Sequence, residues 1–138
     1  MDDGFTRLEQ DHREIEAQFQ VLVSNAEAPV VRELCEQLTR HATLEETVLH
    51  PALRRWVDGG DDLADRAQQE LATIATMVAE LSDSATPEQL GDLVAQLHDG
   101  VSAHFTFVES EIIPEMREIG VQPLDAAPDQ PAGERRAS

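Results

Sequence analysis

His41 and Glu45 stand four residues apart, the spacing that stacks two side chains on one helix face with Cβ atoms roughly 5–6 Å apart. An imidazole nitrogen and a carboxylate in that arrangement form a mixed donor set that suits iron, zinc or manganese. One ion can take both groups, or the carboxylate can bridge two ions. A second pairing is His104 with Glu109, five residues on and therefore about 140° away around a helix. A glutamate side chain can reach back over that angle. Val108 holds the i+4 place, and Glu111, at i+7, faces the seam but roughly 10 Å further along the axis, which makes it the weaker candidate. His12 completes the set of histidines on apolar stripes.

Those side chains need elements that aim them at one place, and the apolar periodicity supplies four helical segments. The first runs from about Phe5 to Ser24, with Phe5, Leu8, Ile15, Phe19 and Leu22 on its stripe and His12 inside it. The second starts near Pro29 and stops after Val57, at Asp58-Gly59-Gly60, an interhelical turn. Its seam reads Leu34, Leu38, His41, Glu45, Val48, Ala52 in alternating steps of four and three. The third follows Asp61-Asp62 and ends near Leu81. The fourth opens on Thr86-Pro87-Glu88-Gln89, a capping-box pattern, carries Leu90, Val94, Leu97, Val101, His104 and Val108, and ends before Gly120. Residues 121–138 hold three of the seven prolines and read as a disordered tail. The expected fold is all-α, an antiparallel up-down-up-down four-helix bundle over residues 1–120.

A single histidine on an apolar stripe is ordinarily a hydrogen-bonded core residue. Here three helices each aim one toward the bundle axis, near mid-length, and one of them carries a glutamate a turn away. A buried carboxylate without partners is costly, and a metal offsets that cost. The combination favours a metal site. His50, nine residues past His41, falls on the opposite helix face and reads as packing or surface; His98 reads as exposed, and Cys35 and Trp56 as packing residues.

The bulk composition narrows the partners. The chain of 138 residues has 41% hydrophobic and only 4% aromatic residues, which suits one domain with an aliphatic helical core. Its net charge of −18 would repel nucleic acid and an anionic membrane, so neither is expected as a partner. The single cysteine and the acidic N-terminus, which lacks the features of a signal peptide, lead to an expectation of a cytoplasmic protein. No Ser-His-Asp pattern, phosphate-binding glycine loop or Cys-x-x-Cys pair is present.

Taken together, these stretches resemble the hemerythrin-like, or HHE cation-binding, domains. Leu8-Glu9-Gln10-Asp11-His12 resembles the family's Asp-His opening. His41-Ala42-Thr43-Leu44-Glu45-Glu46, followed by Leu49-His50-Pro51-Ala52-Leu53, resembles its central motif, and His104 through Glu109 to Ile113-Pro114 resembles a second copy. The similarity spans about residues 5–118. The resemblance implies a non-haem di-iron centre, with His12, His41 and His104 as terminal ligands and Glu45 and Glu109 as bridging carboxylates. The third helix departs from the pattern: Leu71 stands where the family would place a histidine, and the adjacent Glu70 is the natural substitute.

The function this implies is sensing or handling oxygen, peroxide or nitric oxide, with reversible oxygen carriage disfavoured by the missing histidine. A second reading is a regulatory or interaction bundle with a degenerate or mononuclear metal site. A third, a hydrolytic zinc protein using His12, His41 and His104, ranks last because no separate general base or substrate pocket is evident.

Overall fold

Phe5, Leu8, His12, Ile15, Phe19 and Leu22 form one buried stripe along α1 (Gly4–Ser24), at the steps of three, four and seven that a helix places on one face. The same logic builds α2 (Ala28–Leu44), α3 (His50–Trp56), α4 (Gly60–Asp83), α5 (Pro87–Phe107) and α6 (Ile113–Ile119) in the computed structural model, which describes residues 4–83 and 86–120. The tail expected over 121–138 lies outside the described residues.

Two π-helical turns, Glu45–Leu49 and Val108–Ile112, join α2 to α3 and α5 to α6. The backbone stays right-handed helical through both junctions, so α2 with α3 and α5 with α6 are continuous rods. Four helical rods result, with no strand among the described residues. The first packs on the second and the fourth, and the third likewise on the second and the fourth.

The π turns have a local cause. Pro51 and Pro114 lack an N–H, and a proline ring inside an α-helix presses on the carbonyl four residues back. Widening the preceding turn relieves this: the His50 N–H reaches back to the Glu45 carbonyl, and the Ile113 N–H to that of Val108. Each π turn absorbs an extra residue, so everything after it slips by about 100° relative to an unbroken α-helix. Two expectations change as a result. His50, just past the first π turn, turns inward and is buried, whereas Glu111, inside the second, turns out and is exposed.

The rod ends follow sequence signals. Thr86 accepts from the Gln89 N–H, and the Gln89 side chain accepts from the Thr86 N–H, closing the capping box. Gly120 takes the left-handed conformation, φ 78°, and ends α6. α4 begins at Gly60, earlier than expected, which puts Asp61 and Asp62 in its first turn, where they favour the helix dipole. A Cβ on Gly60 would lie 1.9 Å from the Leu53 carbonyl oxygen, so only glycine allows this close approach of α4 to α3.

The buried apolar residues fall into two clusters. One includes Ile15, Phe19, Leu34, Leu38, Leu71, Leu97 and Val101. The other includes Phe5, Leu8, Leu49, Leu53, Ala67, Val108 and Ile112. Along every rod the division comes at the same level: between Leu8 and Ile15, Leu38 and Leu49, Ala67 and Leu71, Val101 and Phe107. A polar layer of His12, His41, Glu45 and His104 occupies that level, and buried His50 borders it one residue past Leu49.

Two packing expectations are corrected. Trp56 is 44% exposed at the end of α3, with Arg55 over its ring. His98 is half-buried rather than exposed: it stacks on Phe19 and lies 2.7 Å from Glu16. Cys35 is buried in the core, as expected.

Candidate metal centre

The three histidines converge through Nε2. His12 Nε2 lies 3.2 Å from His41 Nε2, His41 Nε2 lies 2.7 Å from Glu45 Oε2, and His104 Nε2 lies 3.0 Å from Glu45 Oε1. None of the four residues is more than 6% exposed, and Glu45 and His104 are fully buried. His12, His41 and Glu45 present three donor atoms within 4.8 Å of one another.

Carboxylates stand behind the histidines. Glu109 Oε2 is 2.6 Å from His12 Nδ1, and Glu70 Oε1 is 2.7 Å from His104 Nδ1. Asp11 Oδ2 is 3.8 Å from His41 Nδ1, beyond hydrogen-bond range. A carboxylate only accepts, so Nδ1 of His12 and of His104 carries the proton and donates. In a neutral imidazole that leaves a lone pair on Nε2, aimed into the layer.

The donor set therefore has lone pairs facing lone pairs. With His104 neutral, its Nε2 and Glu45 Oε1 are both acceptors at 3.0 Å; Glu45 Oε2, although 2.7 Å from His41 Nε2, makes no hydrogen bond, and His41 Nδ1 is likewise buried without one. Only a proton or a cation between them removes that repulsion. Nitrogen and carboxylate donors arranged this way fit a transition metal ion.

The electrostatics differ from one histidine to the next. Burial, aided by the neighbouring His41, lowers His12 from 6.5 to about 3, keeping it a neutral donor. Burial works to raise Glu45, but the His104 and His41 side chains outweigh it and hold the carboxyl well below its ordinary range. For His104, burial is likewise outweighed by Glu45 and Glu70, and its pKa rises. Burial lowers His50 and raises Glu109. Phe105 stacks on His12 with ring centroids 3.9 Å apart and meets His41 edge-on at 5.5 Å, so an apolar wall fixes both rings.

The sequence-expected residues thus divide in two. His12, His41, Glu45 and His104 come together through their Nε2 and carboxylate atoms. Glu70 and Glu109 reach the same layer from behind, at Nδ1 of His104 and His12, with side chains 26% and 36% exposed. Glu70 also takes Arg66 Nε at 3.3 Å, and Leu71 beside it is buried among apolar neighbours. Asp11 was not singled out, although its signal was present in the Asp11-His12 pair. An α-helical count places His50 on the opposite face, as packing or surface; it is buried, because such a count does not reveal a π turn.

A four-rod helical bundle with a buried histidine–carboxylate layer defines the class: a cation-binding helical domain. Residues 3–116 match the hemerythrin HHE cation binding domain, and the chain belongs to that family. Comparisons with curated proteins and with solved structures gave no match. No helix among the described residues is long and apolar enough to cross a membrane.

Proposed function

We propose that this chain is a non-haem di-iron protein that senses or handles oxygen, peroxide or nitric oxide. The observation that carries the reading is the convergence of three histidine Nε2 atoms on the one buried carboxylate of Glu45. His12, His41, Glu45 and His104 would hold the metal. Iron there supplies redox chemistry and a coordination position open to a small molecule.

The chain's own residues prepare that position. Glu109 and Glu70 accept from Nδ1 of His12 and His104, which fixes each tautomer and ring orientation and keeps Nε2 free. Phe105 and the two apolar clusters close the layer on both sides and exclude bulk water. Burial of all four donors excludes a large substrate, which leaves a diatomic molecule or a peroxide as the fitting ligand. The short links at 25–27 and 57–59 support the antiparallel up-down-up-down order. The single cysteine suits a reducing cytoplasm, and the charge of −18 disfavours a nucleic-acid or anionic-membrane partner.

Metal analysis of the chain prepared with iron tests this. The expected result is more than one iron per chain with near-ultraviolet absorption; less than one metal and no such band would sink it. His41→Ala should lower both metal content and thermal stability, because metal binding and folding are linked.

A second reading has its own observation. Among the described residues one cluster of three donors is compact, His12-His41-Glu45. That favours a mononuclear site in a regulatory bundle, and a loading of one metal per chain would select it.

A further inference from the structure

We propose that His50 supplies a ligand nitrogen to a metal ion held beside His104 and Glu45, a donor that the third rod does not provide. This rests on the metal-binding reading above and extends it.

His50 Nε2 is buried and has no hydrogen-bond partner, in a residue only 4% exposed. Such a nitrogen is normally paired, and one left unpaired in a core calls for an unseen partner. It borders the polar layer, near enough for Glu45 and His104 to act on its charge. The π turn Glu45–Leu49 is what brings it there: five residues make about one π turn, so His50 follows Glu45 on the same face of the rod, and the His50 N–H closes that turn on the Glu45 carbonyl.

The rest of the layer leaves a place for it. His12, His41 and Glu45 already form a compact three-donor group. His104 Nε2 shares with that group only the Glu45 carboxylate, through Oε1. The third rod offers Leu71, which is apolar, and Glu70, which is committed to His104 Nδ1 and Arg66. In the fourth rod the places matching Glu45 and His50 hold Val108 and Ile113, neither of them a donor. His50 Nε2 is one of three buried polar side-chain atoms without a hydrogen-bond partner among the described residues, the others being His41 Nδ1 and Glu45 Oε2. His50, His104 and Glu45 are not gathered as closely as His12, His41 and Glu45, so a metal ion held by His104 and Glu45 would gain Nε2 of His50 as a third protein donor by drawing its ring in.

The test is iron loading of the full chain under anaerobic conditions, comparing wild type with His50→Phe and His50→Gln. Phe keeps a buried ring, and Gln keeps a polar group of similar length if Phe disturbs the fold. Far-ultraviolet circular dichroism checks that each variant is helical. The wild type should take up about two irons and each variant about one, with a smaller metal-induced rise in Tm. Wild-type iron content and affinity in both variants would overturn the assignment and leave the metal-binding reading standing. A wild type that loads a single iron, retained in both variants, would do the same. A wild type that takes up no metal would overturn both.

Discussion

The stretches 41–56 and 104–119 repeat one device and fill it differently. Each begins with a buried histidine, passes into a π turn and reaches a proline ten residues later, Pro51 in one and Pro114 in the other. In the first, the place four residues after the histidine holds Glu45, and the place before the proline holds His50. In the second, the same places hold Val108 and Ile113. All four side chains are buried. The second stretch has its carboxylate one residue later, at Glu109, where it emerges at the edge and holds His12 from behind. Equal backbone geometry thus directs side chains inward in both rods, and residue identity alone decides whether that position is polar or apolar.

Giving the second stretch the first one's carboxylate should have the largest effect. Val108→Glu puts a carboxylate in a fully buried apolar place, and the metal-free protein should lose about 3 kcal/mol or more. Urea denaturation reads this. Unchanged stability would mean that the two rods are not equivalent surroundings.

Acid tests the polar load of the first stretch and its neighbour His12. In the unfolded chain His12 takes a proton near 6.5, but in the folded chain only near about 3. The unfolded state therefore binds more protons between these values, and stability falls as pH drops through that window. His50 acts in the same direction. His104, with a raised pKa, contributes stability that is fully present below 6.5 and therefore adds no slope there. Metal-free protein should lose about 2 kcal/mol from His12 between pH 6.5 and 5, a step of about 1.5 pH units. A denaturation midpoint independent of pH over that range would contradict a buried neutral His12.

The carboxylates behind the histidines should give the smallest effects. Glu70→Gln and Glu109→Gln should each weaken metal binding by about tenfold with little change in the metal-free fold. Glu70 should matter more, because its partner His104 is fully buried and Glu109 is the more exposed of the two. Titration of each variant with metal decides the order. A complete loss of binding in either would make that glutamate a direct ligand instead.

Much of this was legible because helix periodicity is a local property. Leu34, Leu38, His41 and Glu45 share a face by arithmetic, and Thr86 with Gln89 marks a helix start by chemistry alone. The same arithmetic failed for His50, just past one π turn, and for Glu111, inside the other, because counting at 100° per residue loses the phase there. It also failed at Trp56, which lies at a rod end, and at His98, which finds Phe19 and Glu16 on another helix.

The sequence by itself determined the four rods, their apolar stripes and the four donors His12, His41, Glu45 and His104, because each depends on spacing within one helix. Tertiary structure alone decided which atom of each donor faces which. Glu70 and Glu109 could have entered the layer or stood behind it, and contacts across 34 and 97 residues of chain put them on Nδ1. The turning inward of His50 belongs between the two: Pro51 supplies a local cause, but only the packed bundle shows its nitrogen buried and unpaired.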